Sequence, residues 1–589
     1  MKRTSIALAV AVALSAGIAQ AGTLRFSEVP VPSDDASKRE VTASPSVRID
    51  GRTHRIGYNT LLRSGDQVGN SALAWGTLVD VDGVPLHDDA GAPVISVYPD
   101  HSSLITGDDG RLYSITQFED SIGAIYLTGL RQGRDGRLLP TRTRPLDLSG
   151  VNGTWTHCAG MVTPWGTHLG AEEYEPNAAD PDILSNRYFS PVAAYFGEDP
   201  ANIDADTTRL NPYNYGFPVE VKVGDYEHVD VAKHYAMGRA AIELAYVMPD
   251  RRTAYISDDG TDVGLYRFVA DQPADLSAGY LYAARWRQSD DAGAGDGVIE
   301  WINLGHASDT DIRPFIDARG SFDDIFERDQ PGCTSIRTAT GQECLTVRDG
   351  MEQIASRLET RRFAAMRGAT TEWRKMEGIT YNPDKHTMYM SMSEIGKGML
   401  DKNDGGNNDI RLQENPCGAV YALELDGNFA ATRMHGLIEG RPVAGDPSNS
   451  CDLAAIANPD NLTFIPGYDT LIIGEDTGSG HQNDAVWAYD LSKSSLTRIE
   501  TTPYGSETTS VYFYPNVGGH AYMMSVVQHP YGESDQDKLI QGSGDDRAYV
   551  GYIGPFPAMD VQSREHEHRG RDEHHRHDEH HEHQGRRRR

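Results

Sequence analysis

PDNLTFIPGYDTLIIGED, residues 459–476, and AVWAYDL, residues 485–491, write out one structural unit: an apolar strand closing on a proline, a turn, a second apolar strand ending in two acids, then an aromatic strand. The same unit is written about six times along the chain under unequal insertions. Its second strand reads again at Leu112–Asp120, Thr167–Glu173, Thr253–Asp259, Thr387–Glu394 and Ala521–His529. Its aromatic strand reads again as GAIYLTGL from Gly123, GLYRFV from Gly264, GAVYALEL from Gly418 and AYVGYIG from Ala548, with PVAAYFG, residues 191–197, as a weaker copy. Strands this short cannot bury their apolar faces alone, and radial repetition of small sheets solves that problem with few exposed edges. The expected fold is therefore all-β, a six-bladed β-propeller with long inter-strand insertions. A pair of β-sandwiches or a solenoid is the competing architecture.

Composition agrees with many short strands and turns: the 589 residues include 60 Gly and 30 Pro, and no long stretch carries the 3.6-residue apolar period of a helical bundle. Formal charge is -32, with 86 acidic against 54 basic residues. Such a chain is poorly suited to a phosphate backbone, so no nucleic-acid partner is expected. The acid excess serves either a solvated surface or bound hard cations.

Lys2 and Arg3 precede an apolar run from Ile6 to Ile18 and the small-residue site Ala19-Gln20-Ala21. That pattern predicts a signal peptide over 1–21 and a mature protein that is periplasmic or secreted. No later segment is apolar for long enough to span a bilayer, so no membrane anchor is expected. Residues 22–559 read as a single propeller domain, and a monomer is expected. Residues 560–589, rich in His, Asp, Glu and Arg, have too few apolar side chains to pack and read as a disordered tail. Its role is either loose metal gathering through imidazoles or solvation.

Five cysteines leave one unpaired. Cys333 with Cys344, and Cys417 with Cys451, read as disulfides in an oxidising compartment, which leaves Cys158 as the odd thiol. Aligning the units on the proline that closes the first strand gives that thiol a context. Six residues upstream of Pro164, Pro249, Pro383 and Pro466 stand Cys158, Glu243, Glu377 and Asp460. First strands of propeller blades line the central channel, so these side chains are expected to meet on the axis. Carboxylates buried together repel one another strongly unless cations compensate. Oxygen ligands suit calcium or magnesium, and a thiolate among them points to a transition metal such as iron or zinc. The doublets Glu172-Glu173, Asp258-Asp259 and Glu475-Asp476, each ending a second strand, add further candidate ligands.

CAGMVTPWGTHLGAEE, residues 158–173, resembles the signature segment of the PhoX-type alkaline phosphatases. ISDDGTDVGLYRF from Ile256, MEGITYNPD from Met376, PDNLTFIPG from Pro459, IGEDTG from Ile473 and VQHP from Val527 are similar to other motifs of that family. The resemblance runs from about residue 60 to about residue 555. It implies phosphomonoester hydrolysis by a mixed iron and calcium cluster in a six-bladed propeller. It places Cys158 and Glu243 at iron positions, Glu377 between metals, and Glu172, Glu173, Asp258, Glu475 and Asp476 in or near the calcium shell. Three positions depart from the family pattern. His157 stands where Asn is usual, Lys375 with Arg374 beside it stands where Arg is usual, and Lys2-Arg3 replaces a twin-arginine signal.

The expected reaction is phosphoryl transfer to water, with metal ions neutralising the phosphate oxygens and Lys375, Arg374 and Asn461 holding the phosphate. No G-x-S-x-G elbow argues for a serine nucleophile. The alternatives are a calcium-dependent propeller esterase or lactonase, and a non-catalytic metal-binding propeller. DKNDGGNND, residues 401–409, lacks a correctly placed EF-hand glutamate and reads as an insertion turn. His529 reads as a structural histidine or a ligand at the rim.

Overall fold

The structure, a computed structural model, describes residues 22–401, 406–532 and 545–559. The expected signal peptide and C-terminal tail lie outside the described residues, as do residues 402–405 of the expected insertion turn.

Six four-stranded antiparallel meanders follow one another along the chain. Their first strands are Pro99–Thr106, His157–Val162, Ile242–Val247, Met376–Asn382, Pro459–Ile465 and Glu507–Val517, here taken as the starts of blades 1 to 6. Each first strand neighbours the next, and that of blade 6 returns to that of blade 1, so the inner strands close a ring. Blade 6 is completed by the early strand Tyr58–Arg63, which pairs with Tyr549–Pro557 and ties the two ends of the domain together. Blades 3 and 4 are joined at their outer edges as well. The long hairpin Asp275–Asp290 and Asp296–Ser308 pairs with Ala431–Glu439 over Asp296–Val298.

Apolar side chains explain why the meanders stack radially. Between blades 1 and 2, Ile115 and Leu127 pack with Val219 and Val221. Between blades 4 and 5, Tyr389 and Val420 pack with Leu471 and Trp487. Between blades 5 and 6, Ile472 and Val486 pack with Val511 and Met523. Comparable cores fill the remaining gaps, so every sheet buries both faces against its neighbours.

All six second strands stand where the repeat places them, and so do five third strands. The exception is PVAAYFG. Val192–Tyr195 forms a short helix, and the third strand of blade 2 is Pro218–Val223. Pro at the helix start and two alanines favour a helical turn, whereas PVEVKV alternates, with Val219, Val221 and Val223 buried. Both expected disulfides are present, Cys333–Cys344 and Cys417–Cys451, and Cys158 is free and buried.

Candidate metal centre

The second residue of each first strand is Asp100, Cys158, Glu243, Glu377, Asp460 or Thr508 in blades 1 to 6. A register irregularity follows the start of that strand in every blade, for example between His157 and Gly160 and between Met376 and Ile379. A bulge bends a strand and re-aims its side chains. In blades 1 to 5 it turns the second residue toward the axis, while in blade 6 the Thr508 hydroxyl bonds the Glu475 backbone instead. Thr156, Lys375 and Asn458, which lead into three of these strands, carry φ of 31°, 47° and 41°. Left-handed backbone at non-glycine residues is uncommon, and here it sets the angle at which the strand enters the channel.

The ends of the second strands complete the ring through strand alternation. In the doublets Glu172-Glu173, Asp258-Asp259 and Glu475-Asp476, successive side chains point to opposite faces. The first acid of each pair turns into the protein and is fully bonded there. Glu172 accepts from Lys233 Nζ at 2.8 Å and from the backbone N–H groups of Trp155, Gly216 and Phe217. Asp258 accepts from Arg361 at 2.9 and 2.5 Å and from the N–H groups of Ala241 and Gly264. Glu475 accepts from His481 Nδ1 at 2.9 Å, Trp487 Nε1 at 2.7 Å and the N–H groups of Ala457 and Ala485. Each first acid thus staples the approaches to strands one and three to the end of strand two. This corrects the expectation that Glu172, Asp258 and Glu475 are metal ligands: their oxygens are occupied by Lys233, Arg361 or His481 and by backbone donors.

Two of the second acids, Glu173 and Asp476, join the ring. Among the described residues, four overlapping groups have ligand atoms within 4.8 Å of one another: Asp100, Glu119 and Cys158; Cys158, Glu173 and Glu243; Glu243, Glu377 and Asp460; Asp460, Asp476 and Glu507. Cys158, Glu243 and Asp460 are each shared by two groups, so the sites form a continuous arc around the axis. Burial pushes the carboxyls of Asp100, Glu173, Glu243, Glu377, Asp460 and Glu507 upward, and neighbouring carboxylates add to the rise. Glu119 is pushed up to about 8 by burial, with Asp476, Asp120 and Asp460 adding to it. Burial also raises the Cys158 thiol, helped by Glu243, Asp100 and Glu173. Asp100 Oδ1, Glu243 Oε1 and Asp259 Oδ1 are buried without a hydrogen-bond partner. Unpaired oxygens, crowded acids and one thiol are what a set of cations would satisfy, so the donor set fits bound metal.

Lys375 brings positive charge to the cluster. Its Nζ lies 3.5 Å from Glu377 Oε1, and that carboxylate holds the ammonium well above its usual range. Arg374 does not join it. The Arg374 guanidinium is held by Glu394 at 2.9 and 2.6 Å and by the Thr261 hydroxyl, which corrects its expected role on the phosphate. Asn461 is spoken for as well: its amide donates to Asp460 Oδ1 at 3.0 Å and accepts from Ser510 N at 3.1 Å, so it orients a ring carboxylate. His157 faces the Ala171 carbonyl at 3.3 Å, and burial lowers it to about 3, which keeps it neutral. His529 reaches Glu507 at 3.4 Å, beside the ring.

With that geometry in hand, the family model described as Alkaline phosphatase PhoX matches residues 123–531. The chain belongs to this family. Among solved structures, Pseudomonas fluorescens PhoX in complex with vanadate, a transition state analogue, aligns with a TM-score of 0.55 at 18% identity, covering 88% of this chain and 98% of that one. At that identity the likeness establishes the shared fold. A luciferin-regenerating enzyme aligns at 9% identity over 55% of this chain and 95% of its own, with a TM-score of 0.20, too low to carry an argument. No curated protein matches the sequence.

The PhoX match begins at Gly123, after the first two strands of blade 1, and two ring residues that the repeat alignment missed precede it, Asp100 in the first strand and Glu119 directly after the second. Blade 1 has Thr106 rather than proline at the end of its first strand, so an alignment on the closing proline finds nothing. The opening dipeptide was the available signal: Pro99-Asp100 repeats Pro459-Asp460. In blade 1, Phe118 opposes Pro99 as Glu172 opposes His157, which makes Glu119 the counterpart of Glu173. Glu507, also missed, is the first rather than the second residue of its strand.

Proposed function

We propose that this PhoX family member is an exported alkaline phosphatase that releases inorganic phosphate from small phosphorylated substrates at the axial ring. The observation that carries the proposal is the continuous arc of four overlapping acid and thiol groups with Lys375 beside it. Iron is the proposed occupant beside Cys158, because a thiolate favours a transition metal over a hard cation, and calcium is the proposed occupant wherever carboxylates meet without the thiolate, the far side of Glu173 included. Such ions would supply the charge that stabilises an in-line phosphoryl transfer and would acidify the attacking water.

The protein's own part is positional. Lys375, charged and tethered to Glu377, offers donors to a phosphate oxygen as a point charge. Asn461 fixes the Asp460 carboxylate, and Ser393 fixes Glu377 through its hydroxyl at 2.7 Å. Buried strand ends keep bulk water from the ring, which strengthens each of these interactions. No serine nucleophile enters the scheme.

Residues 22–559 are taken as one domain, and export rests on the signal-like start of the chain together with two disulfides. Among the described residues no helix is long and apolar enough to cross a membrane. The test couples elemental analysis of the purified protein to hydrolysis of a chromogenic phosphomonoester with and without a calcium chelator. Calcium with about one iron per chain and chelator-sensitive turnover is expected. Metal-loaded protein inert toward phosphomonoesters would defeat the proposal.

A further inference from the structure

Arg361 rises from the helix Thr360–Met366, in the insertion that precedes blade 4. Its Nε and Nη2 reach the two oxygens of Asp258 at 2.9 and 2.5 Å, and its Nη1 reaches Glu175 Oε1 at 2.7 Å. Asp258 immediately precedes Asp259, and Glu175 lies two residues beyond Glu173. One buried guanidinium therefore ties together the strand ends of two neighbouring blades. Asp258 also accepts the N–H of Ala241, which leads into the strand carrying Glu243. The other two staples work differently: Lys233 and His481 each bond the acid of their own blade.

What lies beyond the fork points to a ligand. Glu173 and Asp259 are 3% and 5% exposed, and Asp259 Oδ1 is buried with no hydrogen-bond partner. Glu173 stands in one of the four groups whose ligand atoms lie within 4.8 Å of one another. Buried acids crowded in this way, or left with an unpartnered oxygen, need a cation beside them or a proton.

We propose that Arg361 is a positioning residue whose planar fork holds blades 2 and 3 in the register that brings Glu173 and Asp259 onto one cation. The inference rests on reading the axial ring as a metal site, and it adds to that reading a residue of the helical insertion that touches neither metal nor substrate. Lysine could replace the charge but not the three-way geometry, since its ammonium is a single point on a flexible stem.

The experiment titrates chelator-stripped, full-length protein with calcium chloride by calorimetry and measures phosphomonoester turnover against calcium concentration. Arg361→Lys is expected to bind one calcium ion at least about tenfold more weakly, as loss of a ligand-orienting partner does. Turnover at saturating calcium should return to the wild-type level, placing the defect in metal affinity rather than in chemistry. Where Arg361→Lys does not fold, the variant Glu175→Gln with Asp258→Asn and Arg361→Gln removes the buried charges together and should show the same weakened binding. An unchanged isotherm in whichever variant folds overturns the inference, and so does failure of both to fold, because a positioning role requires a folded but weaker binder. Wild-type protein that binds calcium yet hydrolyses no phosphomonoester defeats the proposed function alone. Wild-type turnover without calcium binding defeats this inference together with the calcium assignment, and leaves the phosphatase reading standing.

Discussion

Glu172 and Glu173 are adjacent, identical in type and both buried, yet they do opposite things. Glu172 is raised by burial, but a lysine and three backbone donors oppose that rise and tie the blade's strands together. Glu173 faces other acids and a thiol, and both burial and its acidic neighbours oppose its charge in the metal-free protein. The same division separates Asp258 from Asp259 and Glu475 from Asp476. Residue type therefore does not decide whether an acid is structural or functional; the face of the strand does, because alternation sends one side chain to the interior and the next to the channel. A staple acid should matter for folding and a ring acid for chemistry, and substitutions can separate the two.

The largest expected effect is on turnover at the ring. Glu377→Ala and Cys158→Ser should each lower phosphomonoester hydrolysis by about a thousandfold or more, the scale of several kcal/mol of lost transition-state stabilisation. Circular dichroism should show both variants folded, and full turnover in both would remove the ring from the mechanism. At the staples, Lys233→Met leaves the Glu172 carboxylate buried beside an apolar side chain. Breaking a buried pair in this way costs ~3–5 kcal/mol, which thermal or urea unfolding would register as a large loss. Glu173→Gln should do the reverse in chelator-stripped protein, raising the melting temperature because it relieves repulsion. Equal destabilisation by Lys233→Met and Glu173→Gln would erase the distinction between staple and ring.

The pH dependence of the stripped protein sharpens the same contrast. A carboxyl that holds its proton more tightly when folded makes stability fall as pH rises, because the unfolded chain releases its proton first. For Glu119 the fall runs from the ordinary value of 4.5 up to about 8. The melting temperature without metal should therefore decline across that window, and saturating calcium should abolish the decline by favouring the ionised ring. A flat profile without metal would mean that the ring acids do not interact as their burial implies. The smallest effect is expected at Lys375, where Arg keeps the charge: Lys375→Arg should change turnover by about tenfold or less, against about a hundredfold or more for Lys375→Ala.

Much of this was legible in sequence because the propeller repeats. The recurring second strands located six blades, and the offset from the closing proline located Cys158, Glu243, Glu377 and Asp460, all of which reach the axis. The same device failed where a blade lacks its marker, as at Thr106 in blade 1, and there Asp100 and Glu119 went unread. It failed also at PVAAYFG, where an aromatic and apolar composition matched the repeat while the local preference was helical.

The roles of Glu172, Asp258 and Glu475, of Arg374, and of Arg361 were a different matter. Each depends on a partner far away in the chain: Glu172 on Lys233, Asp258 on Arg361, Arg374 on Glu394. The sequence by itself determined the β-rich repeat, the family, the two disulfides and the residues that begin the inner strands, because those are written in local order and spacing. Only the tertiary structure decided which acid of each doublet is neutralised and which is left for metal. That choice rests on strand facing, on bulges and on basic partners delivered by a fourth strand, a helix and a loop, and none of these follows from the doublets' own sequence.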